Sequence, residues 1–165
     1  MTDEQPMVRL TGVAKRFTKG KETISIFDHL DLAIPRGDFI AVMGPSGSGK
    51  TTLLNLLGGI DRADAGEIAV VDQRIDGLSE GELAAWRAAN IGFIFQFYNL
   101  MPMLTAAQNV ELPLLLTRLG KAQRRSHVET ALKIVSLADR AKHYPREMSG
   151  GQQQRVAIAR AIVSD

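Results

Sequence analysis

Eight consecutive residues constrain this chain more than any other feature: Gly44-Pro45-Ser46-Gly47-Ser48-Gly49-Lys50-Thr51. They fit the pattern G-x-x-x-x-G-K-[ST]. The flanks fit too. Phe39-Ile40-Ala41-Val42-Met43 is a continuous apolar run, as expected of a strand buried on both faces. Thr51 to Leu57 reads as a helix stopped by Gly58-Gly59. Strand, glycine-rich loop and helix in that order make a cradle for phosphate. Glycines let backbone N–H groups converge on phosphate oxygens with no Cβ in the way. The helix that begins there turns its positive end toward the same point. Lys50 places a point charge on the outer phosphates, and Thr51 offers a hydroxyl to Mg²⁺. The plainer alternative is a flexible Gly/Ser turn.

Composition narrows the class around that loop. Hydrophobic residues make up 45% of the 165 positions and charged residues 23%, which is globular usage and excludes disordered or collagen-like chains. The absence of cysteine removes disulfides, thiolate metal sites and Cys nucleophiles. A net charge of +2 does not by itself imply a nucleic-acid partner. No apolar stretch approaches the roughly 18–20 residues that span a bilayer. The opening Met1-Thr2-Asp3-Glu4-Gln5-Pro6 is polar and acidic, unlike a signal peptide. The expectation is a soluble, cytoplasmic protein.

Short β-rich segments come first. Val8–Leu10 and Ile24–Phe27 flank a turn at Thr18-Lys19-Gly20-Lys21, and Leu30–Ile34 alternates until Pro35-Arg36-Gly37 breaks it. After a second β-rich stretch, Glu67–Ile75, a polar helix is expected near Ser79–Ala89. Ile91, Phe93, Phe95 and Phe97 then recur at period two, which predicts a strand with its Phe residues in a local core. Leu104–Leu137 reads as helical with Pro113 as an interruption. Residues 118–146 hold eight Lys and Arg against Glu129 and Asp139, a local net of +6. A solvated helix face explains such a cluster, and a surface near phosphates or lipid headgroups is the alternative. Met148-Ser149-Gly150-Gly151 introduces a last helix over about Gln152–Val163, with Ser149 as its cap.

A phosphate loop alone does not choose among GTPases, kinases and ATPases. The guanine-reading Asn-Lys-x-Asp is absent, and no Asp-x-x-Gly occurs. Adenine nucleotides are favoured. Ser149-Gly150-Gly151-Gln152 then stands about 100 residues after the loop and opens a second helix with small residues, a second place for an anion.

These residues together resemble the nucleotide-binding subunit of ABC transporters. Met148–Gln152 is similar to the family signature Leu-Ser-Gly-Gly-Gln, with Met in place of Leu. Gln96, after Ile91–Phe95, matches the Q-loop glutamine. Phe17 sits where the family places an adenine-stacking aromatic. Gly44–Ile60, Ile91–Gln96 with Asn99–Pro102, Asn109–Leu116 and Ser149–Ile162 resemble the lipoprotein-releasing and macrolide-export type most, with Gln108 standing where that type usually has Glu.

The resemblance implies an α/β fold: a P-loop NTPase core with an antiparallel β subdomain and a helical subdomain, and with the C-terminal part of the core sheet missing. It divides the chain at about 1–98 (β subdomain and loop core), 99–148 (helical subdomain) and 149–165 (signature and following helix). It implies that ATP is held by Phe17, by Gly44, Pro45, Ser46, Gly47, Ser48, Gly49, Lys50, Thr51 and Thr52, and by Ser149, Gly150, Gly151 and Gln152. The last four would face the nucleotide of an opposite, head-to-tail subunit. Thr51 and Gln96 would attend Mg²⁺, and Lys50 and Gln96 would act in hydrolysis. The implied partners are a transmembrane permease subunit and a second ATP-binding subunit, with no nucleic acid, on the inner face of the cell membrane.

The family pattern continues with an apolar strand ending in Asp-Glu and a switch histidine. Neither is found between Val8 and Asp165, so the expectation is a fragment that does not hydrolyse ATP alone. Ile68–Gln73 resembles that strand with Gln73 replacing Glu, but it lies only about 20 residues after Lys50, where family order puts a β-subdomain strand and turn. His29, His127 and His143 read as surface or packing residues. The alternative functions are a non-hydrolysing regulatory or scaffold module, and an ABC ATPase of DNA repair or translation. Only 52 residues separate Gln96 from Ser149, without heptads, which argues against the repair type.

Overall fold

The computed structural model describes residues 5–164. Residues 1–4 of the polar opening stretch, and residue 165, lie outside the described residues. The chain divides into two compact units, Met1–Arg87 and Ala88–Asp165.

The first unit is built on an antiparallel sheet of order β2-β1-β3-β4. Its strands are β1 (Val8–Lys19), β2 (Glu22–Ile34), β3 (Ala65–Val70) and β4 (Gln73–Arg74). The β1–β2 hairpin turns at Gly20, whose φ of 65° is the left-handed backbone expected of Thr18–Lys21. β1 is laddered on both sides. It pairs Val8 with Ile34 of β2 and with Val70 of β3, and register shifts after Leu10 bend it. Leu10, Val13, Ile68 and Val70 are buried. Lys15 is buried as well, and its ammonium donates to Asp61 Oδ1 at 2.7 Å and to the Arg62 carbonyl at 2.8 Å. A buried cation needs that pairing to avoid a large desolvation penalty.

The Ile68–Gln73 stretch is the β3–β4 hairpin, the strand and turn expected at that place. Val71 and Asp72 form its turn, both left-handed (φ 51° and 60°), the handedness that suits the twist of paired strands. Asp72 is ion-paired with Arg36. Beside it, Asp76 accepts from the Ile68 N–H at 3.0 Å and from Arg74 at 2.6 Å. Burial pushes its carboxyl up, but these hydrogen bonds and the Arg74 charge outweigh burial and hold it below the ordinary value. Helix α1 (Lys50–Leu57) and helix α2 (Glu80–Asn90) complete the connections. Ser79 and Glu82 close a reciprocal cap at the start of α2, and Leu83 and Trp86 bury its apolar side.

One expectation differs. Phe39–Met43 has the composition of a two-face-buried strand, yet it pairs with no strand among the described residues, and Phe39 and Met43 are 97% and 88% exposed. Ile91–Phe97 likewise makes no ladder, and Phe97 is 81% exposed. A strand exists only through its neighbours' N–H and C=O groups, so apolar content alone cannot create one. The expected Phe core does not form: Phe95 and Phe97 are exposed and Phe93 is only partly buried, and the one ring contact among them sets Phe93 and Phe95 4.6 Å apart.

The second unit is helical. It holds α3 (Ala106–Glu111), α4 (Lys121–Ile134) and α5 (Gly150–Ile162), with Leu112–Leu116 a 3₁₀ turn that begins around Pro113. Its core draws Val110 and Leu114, Val128 and Leu132, and Val156 and Ala159 into one cluster. The Lys and Arg of residues 118–146 lie outside this cluster. Arg124 and Arg125 pair with Glu111 and Glu129. Gln108 closes a capping box with Thr105, accepting from its N–H at 2.9 Å, so the amide does at this helix start what a carboxylate would do.

Asn109 is fully buried in this unit. Its Oδ1 accepts from the Met101 N–H at 2.7 Å, and its Nδ2 donates to the carbonyls of Met101, Leu104 and Thr105 at 3.0–3.1 Å. One side chain thus satisfies the backbone of the loop entering α3. Asn109→Ala removes the acceptor of the Met101 N–H and the donor to three loop carbonyls, and empties a fully buried site, and is expected to lower stability by about 2–3 kcal/mol. Urea unfolding followed by far-UV circular dichroism checks this, and a loss below about 0.5 kcal/mol contradicts it.

Candidate functional site

The phosphate loop is arranged from backbone upward in the first unit. Gly44, Gly47 and Gly49 have φ of 154°, 83° and 88°. Gly49 is the N-cap of α1 and, having no side chain, makes no capping hydrogen bond. No acidic residue occupies the first turn. The opening N–H groups of α1 therefore lack a side-chain acceptor and meet a positive helix end, which suits an anion. Lys50 folds back over the loop. Its Nζ donates to the carbonyls of Gly44 at 2.8 Å and Pro45 at 2.7 Å and lies 3.4 Å from Ser48 Oγ. That ammonium spans the concavity that the N–H groups enclose. The cleft above it, of about 520 Å³, is lined by Ile26, Ser46, Gly47, Gly49, Lys50, Thr51 and Thr52. These lining residues offer donors and hydroxyls and no carboxylate, a composition that fits polyphosphate.

Two features show why glycine is needed. A Cβ on Gly49 would stand 2.8 Å from Ile26 Cγ2 and 3.0 Å from Phe27 Cζ, and its φ is left-handed. At Gly47 a Cβ would meet nothing within 4 Å, so conformation alone selects glycine there. Phe17, on β1, is 43% exposed, and the Lys15 ammonium sits 4.9 Å from its ring centroid. The ring is thus a partly open aromatic surface with one cation against it.

The remaining expected residues belong to the second unit. Ser149 is the N-cap of α5. Its Oγ accepts from the Gln152 N–H at 3.3 Å, while its own N–H donates to Gln152 Oε1 at 2.9 Å. Met148 is buried, which accounts for an apolar residue at that place. Gly150 and Gly151 are exposed, and a Cβ on either would meet nothing within 4 Å. The first turn of α5 is therefore open to solvent, with the Ser149 hydroxyl proton still available to donate. Gln96 is exposed in a turn over Gln96–Asn99. Leu100 packs against the helical core, while Met101 and Met103 are 46% and 72% exposed.

Neither Asn109 nor Arg160, which donates to the Tyr98 and Asn99 carbonyls, was marked by a motif of its own. The histidines serve locally. His127 Nδ1 lies 3.2 Å from the Val163 carbonyl, His143 Nε2 lies 3.2 Å from Arg140, and His29 is exposed beside Asp31. Among the described residues, no group of three His, Cys, Asp or Glu is placed to hold a metal, and no helix is long and apolar enough to cross a membrane.

A glycine-rich loop between a β unit and an uncapped helix, with a lysine across it, defines a nucleotide-binding domain of the P-loop class. Comparison with known proteins narrows this. The ABC transporter family profile matches residues 27–165. The uncharacterized ABC transporter ATP-binding protein YknY of Bacillus subtilis (strain 168) is 46% identical over 159 residues, which are 96% of this chain and 69% of that protein. The lipoprotein-releasing system ATP-binding protein LolD of Xylella fastidiosa is 42% identical, over 96% of this chain and 66% of its own length. The macrolide export ATP-binding/permease protein MacB 1/2 of Paracoccus denitrificans is 44% identical over 97% of this chain, which spans only 24% of that longer protein. Among solved structures, the dimeric bacterial ABC transporter cassette MJ0796 superposes with a TM-score of 0.90 at 42% identity, covering 96% of this chain and 70% of its own. The same cassette has been solved bound to ADP and Pi, with a TM-score of 0.89. The chain belongs to the ABC transporter family.

The contrast between the two glycine sets is testable. Gly49→Ala adds a clash and a left-handed penalty, and is expected to cost about 1–3 kcal/mol of stability. Gly150→Ala adds a methyl in open space in a helical turn and is expected to be neutral or stabilising by up to about 1 kcal/mol. Urea titration of both variants checks the pair, and equal losses contradict it.

Proposed function

We propose that this chain is an ATP-binding subunit of an ABC transporter, which couples MgATP binding and hydrolysis to a transmembrane partner. The observation that carries this is the loop Gly44–Thr51, with the N–H groups of α1 uncapped and Lys50 drawn across them. The N–H groups would hold phosphate oxygens, and Lys50 would exchange the Gly44 and Pro45 carbonyls for phosphate charge. Phe17 would take the adenine on its open ring surface. Thr51 is the residue assigned to Mg²⁺, and the family pattern assigns Gln96 to the ion as well. Bound there, the ion would neutralise phosphate charge. Ser149, Gly150 and Gly151 would present a hydroxyl proton and two N–H groups to the nucleotide of a second ATP-binding subunit. YknY and LolD bear names of ATP-binding proteins, and MJ0796 is described as dimeric, which supports both parts of this reading.

Binding and turnover separate in this chain. Hydrolysis requires a residue that orients water, and no carboxylate lines the cleft over the loop. Loss of such a group commonly lowers the rate by about 10²–10⁴-fold. One set of nucleotide titrations tests the whole reading. ATP and GTP should bind within about tenfold of each other, because ring stacking does not read the exocyclic groups. Phe17→Ala should weaken both by about 1–2 kcal/mol. Lys50→Ala should abolish binding, and the purified chain should show no ATPase above background. A Lys50-dependent turnover of about 1 s⁻¹ would overturn the separation of binding from turnover in this chain, and ATP favoured a thousandfold over GTP would overturn the stacking role of Phe17.

The Tyr98–Met103 loop is the surface we assign to the transmembrane partner. Exposed Met101 and Met103 beside Pro102 suit an apolar groove. Photo-crosslinkers at positions 101 and 103 should reach the membrane subunit in an assembled transporter. Crosslinks confined to the ATP-binding subunits would remove this surface from the proposal.

A further inference from the structure

Arg160 stands in the last turn of α5, half-buried, and among the described residues no carboxylate forms an ion pair with it. Burial pushes its guanidinium below the ordinary value, so the fold keeps a cation where it is unwelcome. The compensation is a fork onto backbone. Nη2 donates to the Tyr98 carbonyl at 2.6 Å and Nη1 to the Asn99 carbonyl at 2.8 Å. Those two residues are both left-handed, at φ 60° and 45°, a conformation uncommon for a residue such as Tyr98 and more readily adopted by Asn. The turn's own hydrogen bonds are two: Tyr98 N–H to Phe95 O at 2.9 Å and Asn99 N–H to Phe97 O at 2.6 Å. The guanidinium, planar and with parallel donors, matches two successive carbonyls as an ammonium cannot.

A second contact ties the same segment to the same helix. At Gly92 an ideal Cβ would lie 2.0 Å from the Ala161 carbonyl oxygen and 2.8 Å from its carbon. The backbone of Gly92 is thus seated directly on the residue after Arg160. The stretch from Gly92 to Asn99, with Gln96 inside it, is held at both ends by adjacent residues of α5. The other end of α5 is the Ser149 cap, about 16 Å away at about 1.5 Å per residue.

We propose that Arg160 is a positioning residue that locks the Gln96 turn onto α5, so that the turn and the Ser149–Gly151 end of the helix shift as one body. Its value to function rests on the reading of Gln96 and Ser149–Gly151 given above, while the lock rests on geometry alone. Displacement of the first turn of α5 then reaches the Tyr98–Met103 loop through one rigid helix.

Hydrogen exchange on the full chain tests the lock. Arg160→Gln should speed exchange of the Tyr98, Asn99 and Met101 amides by about tenfold or more, while the Val110 and Val156 amides in the core keep their protection. Arg160→Lys retains the charge without the fork and should give a smaller, still selective acceleration of about two- to fivefold. Should Arg160→Gln fail to fold, Arg160→Lys decides alone. Unchanged exchange in the turn of the Lys variant, or a rise spread evenly through Val110 and Val156, overturns the proposal. ATP titration of the same samples separates the two readings. Selective loosening in a chain that binds no nucleotide keeps the lock and removes the functional reading, and nucleotide binding without selective loosening does the reverse.

Discussion

The buried side of α5 is the contact on which the second unit depends. Val156, Ala159 and Val163 pack with Val110, Leu114 and Leu132 in one apolar cluster, and all six are 2% exposed or less. Burying side chains of this size contributes about 1.5–3 kcal/mol each for the larger ones, an upper figure because the unfolded chain already buries some surface. The cluster sets where the ends of α5 fall. Its first turn emerges into solvent with Ser149 and two glycines, and its last turn delivers Arg160 to the Tyr98–Asn99 carbonyls. A polar function at each end of a helix is possible because an apolar stripe between them holds the helix still.

The first unit solves a different problem. Its phosphate loop has to present unpaired N–H groups, which a fold normally satisfies with a capping side chain. Gly49 supplies the left-handed turn and withholds the cap, and Ile26 and Phe27 crowd the space a side chain would need. β1 ties the sheet of the unit together, laddered to β2 along most of its length and to β3 over its first half. Donors left open for a ligand are affordable where a separate sheet carries the folding. The second helix start makes the opposite choice: Ser149 and Gln152 cap each other, and an approaching anion would meet a hydroxyl proton and N–H groups already held in place.

Local signals were legible in the sequence because they act over a few residues. The loop, α1 ending at Gly58, the α2 start at Ser79, the 3₁₀ interruption at Pro113 and the α5 cap at Ser149 each follow from residue types within about four positions of the backbone they shape. The strand and turn over Ile68–Gln73, too, were legible from their place in the chain. Phe39–Met43 and Ile91–Phe97 were legible only as apolar runs. Whether such a run becomes a strand is decided by hydrogen-bonding neighbours, and the described residues supply none.

What the sequence determined by itself is therefore the local pattern: where the glycine-rich loop and its lysine fall, which helix opens with small residues, and which family they belong to. Tertiary structure alone decided the support. Asn109 looks like one of three polar residues in a short helix until the loop from Met101 to Thr105 folds back over it. Arg160 looks like a surface arginine at a helix end, yet its acceptors lie 62 and 61 residues earlier in the chain. No periodicity or motif encodes a hydrogen bond to a carbonyl, because every residue carries one. Only the packing of α5 determines which carbonyls the guanidinium meets.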